Sequence, residues 1–106
     1  MGDESEPHWD IPGGRINEDE PLHVALAREI MEETGLQLSG EPQLINAQDI
    51  FVQKADLHVV RLTYTALGSG EAIMSNEHQH GQWCSLDDAK KLNLDPYLRD
   101  TLSLIV

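Results

Sequence analysis

The stretch that decides the fold is GGRINEDEPLHVALAREIMEETGL, residues 13–36. A glycine pair opens it, and Pro21 suits the first position of a helix, with Asp19 or Glu20 as the cap. Gly35 follows the last periodic residues, where a left-handed residue commonly ends a helix. The spacing therefore predicts one helix that starts at Pro21 and ends just before Gly35.

The predicted helix separates apolar residues from acidic ones. At about 100° per residue, one arc collects the apolar side chains and forms the predicted core face: Val24, Leu26, Ala27, Ile30 and Met31. Glu29, Glu32 and Glu33 fall on the other side, where like charges one turn apart cost about 0.2–0.5 kcal/mol per pair. The helix dipole also disfavours anions near this end. A divalent cation such as Mg²⁺ or Mn²⁺ would explain the cluster, and a solvated acidic face is the alternative.

Composition bounds the class of protein. The 106 residues predict one domain over 9–106, preceded by a flexible acidic N-terminus over 1–8. The net charge of −12 disfavours duplex nucleic acid and anionic membranes as partners, and a phosphate ligand would need a cation from outside the chain. Cys84 is the one cysteine, so there is no internal disulfide, and a reducing cytoplasm fits. We expect Cys84 to be a half-buried structural thiol.

The rest of the chain predicts a mixed α/β (α+β) class. Strand signals occur in four stretches: residues 8–11, 44–53, 57–67 and 82–84. Ser85 with Asp88 is typical of a helix cap, and Asp95-Pro96 opens a last helix. Trp83 lies on a predicted short strand, which favours core packing over stacking on a base.

The residues from Gly14 to Leu36 resemble the signature of the Nudix hydrolases. That pattern is a glycine, five residues, a glutamate, seven residues, Arg-Glu, an aliphatic residue, any residue, Glu-Glu, any residue, glycine and an aliphatic residue. All nine fixed positions match: Gly14, Glu20, Arg28, Glu29, Ile30, Glu32, Glu33, Gly35 and Leu36. The resemblance implies a Nudix-like α/β/α sandwich with a mixed sheet. It also implies hydrolysis of a pyrophosphate bond in a small nucleoside-diphosphate-linked substrate.

The resemblance assigns a role to most residues of the signature. Glu29 and Glu33 would be the main metal ligands, joined by Glu32 and by a backbone carbonyl of the glycine pair, with Gly14 the candidate. Glu20 would be a weaker metal contact and the ion partner of Arg28, which would position the site. Gly14 and Gly35 would permit the backbone of the loops, so that replacing either would strain φ and ψ.

Candidates for the remaining roles lie inside and outside the signature. The general base is either Glu29 or Glu77, and the two remain open. Substrate contacts are predicted for Trp9, Arg15 and His78, each with a structural or solvent-exposed alternative.

The short stretch before the glycine pair departs from the family. About eleven residues precede Pro12-Gly13, so we expect the fold to be N-terminally truncated, with an open sheet edge that pairs in a homodimer or by strand exchange. A non-catalytic Nudix-like binding or assembly module is therefore the main alternative to an enzyme. Isomerase chemistry on an isoprenoid diphosphate is a weaker one, because no partner for a catalytic Cys84 can be identified.

Overall fold

A computed structural model describes residues 8–71 and 81–105. Its elements follow in the order α1 (Leu22–Thr34), β1 (Gln37–Val52), a 3-10 turn (Gln53–Ala55), β2 (Leu57–Ser69), α2 (Leu86–Ala89) and α3 (Pro96–Leu102). The mixed α+β class predicted from the sequence is thereby confirmed. The predicted flexible segment over 1–8 lies outside the described residues except for His8, which is exposed.

Helix α1 ends as its sequence predicts and begins one residue later. Pro21 is the N-cap, with extended backbone (φ −61°, ψ 147°), and its carbonyl accepts the N–H groups of Val24 and Ala25 at 3.1 and 3.0 Å. No side chain caps this end, so the predicted cap by Asp19 or Glu20 is wrong. At the other end Gly35 is left-handed (φ 76°) and donates to the Met31 carbonyl at 2.9 Å, as predicted.

Strands β1 and β2 form an antiparallel hairpin, which is the one sheet of the described residues. The strand predicted at 44–53 begins earlier, at Gln37. Two irregularities lie in its first half, between Ser39 and Gln43 and between Leu44 and Asn46. Such bulges add a residue to one strand and mask the period of two on which strand prediction rests. The strand predicted at 57–67 is confirmed as β2.

The short C-terminal helices start at the predicted caps. The Ser85 hydroxyl accepts the Asp88 N–H at 3.1 Å and caps α2. The Asp95 carboxylate accepts the N–H groups of Tyr97 and Leu98 at 3.0 and 3.1 Å and caps α3. Satisfying the orphan donors of a first turn in this way stabilises a helix by about 1 kcal/mol.

The core of the described residues is small and partly polar. Its buried apolar residues are Ala25, Leu94 and Leu98, and its buried polar residues are three threonines: Thr34, Thr63 and Thr101. Side-chain hydrogen bonds join α3 to β1, from Asn46 to the Thr101 hydroxyl at 3.0 Å and from Gln48 to the Tyr97 carbonyl at 2.9 Å.

The predicted core face of α1 is largely wrong. Val24 and Met31 are 44% and 47% exposed and Ala27 is exposed as well, whereas Leu26 and Ile30 are half-buried. The side of the helix that turns inward carries Ala25, which is buried, and Glu29 and Glu33, which are half-buried. Glu29 and Glu33 therefore face the glycine loop, whereas the Glu32 side chain is 58% exposed.

Four expectations for the segments before α1 and α2 also fail. Residues 82–84 form no strand, Trp83 is 78% exposed instead of packed in a core, and the Cys84 thiol is exposed. The strand predicted at 8–11 is reduced to a single parallel bridge between Trp9 and Leu94. A strand requires a partner for its backbone groups, and sequence alone does not indicate which partner is present.

Candidate active site on the acidic helix

Arg28 is paired with Glu20 across the N-terminal part of α1. Its Nε donates to Glu20 Oε2 at 2.8 Å and its Nη2 to Glu20 Oε1 at 3.0 Å, which is a bidentate geometry. The Asn17 N–H adds a third hydrogen bond to Glu20 Oε1 at 2.9 Å. The guanidinium, and then the Asn17 N–H, lower the pKa of Glu20 below its usual 4.5, and Glu20 raises the pKa of Arg28. The predicted ion pair is confirmed, and both partners are charged at neutral pH.

The same guanidinium also reaches the carboxylates of the last helical turns. Arg28 Nη1 donates to Glu29 and, at 3.2 Å, to Glu32 Oε1, and Nη2 donates to the Arg15 carbonyl at 3.0 Å. One arginine therefore bridges three glutamates and the loop that follows the glycine pair. Glu33 is the fourth glutamate of the signature. The four carboxylates and the one guanidinium together carry a formal charge of −3.

The glycine loop lies directly against two of these carboxylates. The Gly13 N–H donates to Glu33 Oε1 at 3.1 Å. At Gly14, a Cβ would overlap the Glu29 carboxylate. Gly14 does not have the positive φ that favours glycine, so the expected backbone strain is confirmed at Gly35 and is wrong at Gly14. Gly14 leaves room for the Glu29 carboxylate in this position, and a larger residue would require the Glu29 side chain to rotate.

The donor set suits a divalent cation, although its side chains are directed elsewhere. Carboxylate and carbonyl oxygens with excess negative charge are the ligands that Mg²⁺ and Mn²⁺ prefer, and Gly14 leaves a cradle for the Glu29 oxygens. Within residues 8–71 and 81–105, however, no three acidic, histidine or cysteine side chains are already placed to hold a metal ion. The glutamates instead point to Arg28 and to the Gly13 N–H.

A cleft of about 1010 Å³ lies beside the glycine loop and runs along β2. Its walls include Gly13, Gly14 and Glu33 as well as the two tryptophans, Trp9 and Trp83. Trp9, a predicted substrate contact, lines this cleft. The Arg15 side chain is exposed and does not line the cleft, although its carbonyl binds Arg28. The other two candidates, Glu77 and His78, lie outside the described residues.

Sequence reasoning missed a charged cluster whose members Asp10 and Arg61 also line the cleft. Arg61 of β2 contacts Asp10 at 2.7 Å and Asp95 at 3.3 Å. The sequence predicts Asp95 as the start of a helix, but the partners of Arg61 are 51 and 34 residues away in the chain. No local pattern marks such a contact.

The comparisons with known proteins agree with the signature. The family model described as NUDIX domain matches residues 2–105, so the chain belongs to the Nudix family. It is 28% identical over 83% of its length to the CTP pyrophosphohydrolase of Escherichia coli K12. It is 32% identical over 80% of its length to the 8-oxo-dGTP diphosphatase of Buchnera aphidicola subsp. Schizaphis graminum. The chain spans 63% and 62% of the lengths of these two relatives.

The fold is also found in solved structures. The crystal structure of a MutT NUDIX hydrolase from Burkholderia pseudomallei superposes with a TM-score of 0.72 at 28% identity, covering 90% of this chain and 74% of the other. The Nudix fold predicted from the signature is therefore confirmed. In the described residues no helix has the length and apolar character needed to cross a membrane.

Proposed function

We propose that this protein is a metal-dependent Nudix pyrophosphohydrolase that cleaves a pyrophosphate bond in a small nucleoside-diphosphate-linked substrate. The observation that carries the proposal is the contact between the glycine loop and the acidic helix, where Gly13 binds Glu33 and Gly14 makes room for Glu29 beside a cleft. The relatives named for CTP and 8-oxo-dGTP hydrolysis support a nucleotide-type substrate.

The signature glutamates would hold the metal ion. Glu29, Glu32 and Glu33 are the proposed ligands, with a carbonyl at Gly14 and a weaker contribution from Glu20. When bound, Mg²⁺ or Mn²⁺ neutralises phosphate oxygens and lowers the pKa of the attacking water. Arg28 bonds one oxygen of Glu29 and one of Glu32, so each carboxylate keeps a second oxygen for the metal ion.

Arg28 is proposed to position the site, because it fixes the start of the helix to its acidic end. Its bidentate bond to Glu20 and its bond to the Arg15 carbonyl hold the guanidinium in place. Glu29 or Glu77 would accept the proton of the attacking water. Trp9 lines the cleft and would contact the substrate, and Arg15 and His78 are further candidates.

The proposal is tested by turnover of a substrate panel with Mg²⁺ or Mn²⁺. NTPs, dNTPs, ADP-ribose, dinucleoside polyphosphates and nucleotide sugars are incubated with the native chain, and release of phosphate or pyrophosphate is measured. We expect one of these classes to turn over and Glu33→Gln to lose at least about 100-fold, because metal catalysis needs each main ligand. Lys54→Gln on the exposed hairpin turn is the control for an unrelated surface change. Full activity in Glu33→Gln would refute the assignment.

A non-catalytic binding or assembly module is the second candidate. It is favoured by the way Arg28 already engages Glu20, Glu29 and Glu32, which leaves no preassembled group of metal ligands among the described residues. Binding of Mn²⁺ or nucleotide without turnover of any member of the panel would support this candidate over the enzyme.

The proposal includes a homodimer and a cytoplasmic setting. Strand β2 pairs only with β1 among the described residues, and Val60 and Phe51 on the hairpin are 54% and 68% exposed, so a second copy could pair at the free edge. Size-exclusion chromatography with light scattering tests this, and a monomer at all concentrations would contradict it. The high negative charge argues against duplex nucleic acid or an anionic membrane as a partner, and the single cysteine fits the reducing cytoplasm.

A further inference from the structure

Arg61 joins two segments that are distant in the chain. It projects from β2 with its side chain 19% exposed. Its Nη2 donates to Asp10 Oδ1 at 2.7 Å and its Nη1 to Asp10 Oδ2 at 3.2 Å, a bidentate pair. Nη1 also reaches Asp95 Oδ2 at 3.3 Å. One guanidinium therefore binds a carboxylate from the segment before the glycine loop and another from the start of α3.

Backbone hydrogen bonds hold the same two segments side by side. The Trp9 N–H donates to the Asn93 carbonyl and the Asp95 N–H to the Trp9 carbonyl, both at 2.8 Å. His8 lies 3.7 Å from the second carboxyl oxygen of Asp95. Backbone bonds thus hold Trp9 against the segment before α3, and the side-chain bond to Arg61 holds the next residue, Asp10.

The glycine loop begins immediately after this anchor. Pro12 restricts the backbone between Asp10 and Gly13, and the Gly13 N–H makes the next contact, to Glu33 at 3.1 Å. The loop is therefore held at one end by Arg61 and at the other by the acidic helix. A shift of Asp10 would be carried through the short, stiff connection to the position of Gly13 and Gly14 against the carboxylates.

We propose that Arg61 is a positioning residue for the metal-binding cluster, acting through Asp10 on the glycine loop. This rests on the proposed metal site of the acidic helix. Without the guanidinium, Asp10 and Asp95 would lose the cation they share and repel each other, so the loop would move away from Glu33. Lysine keeps the charge but cannot donate two parallel bonds from a planar group, so it would restore the attraction without the geometry.

The test measures Mn²⁺ affinity by the loss of the free-ion electron paramagnetic resonance signal. We expect Arg61→Lys and Asp10→Asn each to weaken Mn²⁺ binding by about 10-fold, the size typical of changes behind a metal ligand. The double variant should lose no more than either single one, because both changes break the same link. Arg99→Lys is the matched control, since Arg99 is an exposed arginine that donates to the Leu92 carbonyl at 3.1 Å and not to Asp10.

A second readout separates positioning from general loss of stability. Hydrogen exchange of the Gly13 amide should accelerate in Arg61→Lys and Asp10→Asn, while amides inside β1 and β2 keep their protection. Native-like Mn²⁺ affinity in a folded Arg61→Lys, or an equal loss in Arg99→Lys, would overturn the proposal. If the native chain binds no Mn²⁺, the proposed metal site fails, and exchange at Gly13 still decides the link: faster exchange upholds it and unchanged exchange overturns it.

Discussion

Replacing Gly14 by alanine isolates the contact between the glycine loop and the acidic helix. The new Cβ would overlap the Glu29 carboxylate, so Glu29 must rotate away and give up its hydrogen bond to Arg28. The backbone at Gly14 is not in the left-handed region, so alanine adds no φ strain there. The damage should therefore be confined to the position of one carboxylate.

The magnitude for stability follows from two opposing terms. Loss of a charge-assisted hydrogen bond costs about 1.5–3 kcal/mol when buried, and about 1 kcal/mol for partners that are 26% and 16% exposed. Alanine in place of glycine gains about 0.4–1 kcal/mol by restricting the unfolded chain. The two nearly cancel, so the unfolding midpoint should move by less than about 5 °C. Mn²⁺ affinity should instead fall by about 10-fold or more, because a proposed ligand is displaced.

The assay compares Gly14→Ala with Gly13→Ala by thermal unfolding and by Mn²⁺ titration. Gly13 is a matched control because a Cβ there meets nothing within 4 Å and its φ is also unstrained. We expect Gly13→Ala to bind Mn²⁺ like the native chain. Equal Mn²⁺ affinities in the two variants would refute the conclusion that the missing side chain at Gly14 sets the position of the Glu29 carboxylate.

Three further predictions follow from single contacts. Glu20→Gln should destabilise the protein at neutral pH. Because Arg28 lowers the pKa of Glu20 in the folded state, this stabilisation is present above pH 4.5 and is lost as pH falls through the folded pKa, so urea unfolding of variant and native protein should converge in acid. Gly35→Ala should cost about 1 kcal/mol, and lower the midpoint by about 4–8 °C, because φ at this residue is 76°. Ser85→Ala should cost about 0.5–1 kcal/mol in urea unfolding, and Ser85→Asp should retain the stability, since either side chain accepts the N–H at the start of α2.

The parts of the fold that sequence predicted correctly are those set by local chemistry. Gly35 ends α1, Ser85 and Asp95 begin the short helices, and β2 follows its β-branched run. Each of these depends on residues within about four positions along the chain, so a single sequence contains the information. The ion pair between Arg28 and the start of its own helix is likewise encoded by the signature.

The errors share a different cause, which is packing between distant segments. Apolar periodicity predicts Val24 and Met31 in the core, but both are exposed, and Glu29 and Glu33 lie against the glycine loop. The sequence predicts a buried Trp83, but no part of the described structure covers this side chain. Periodicity identifies a face of a helix but not which surface that face meets.

The most direct test of the central conclusion is hydrolysis by the native chain in ¹⁸O-labelled water, followed by mass spectrometry of the products. If the glycine loop and acidic helix form a Nudix active site, one ¹⁸O atom enters a phosphate product only when Mg²⁺ or Mn²⁺ is present, and Glu33→Gln slows the incorporation at least about 100-fold. Incorporation at the native rate in Glu33→Gln, or no incorporation from any nucleotide in the panel with metal present, would contradict it.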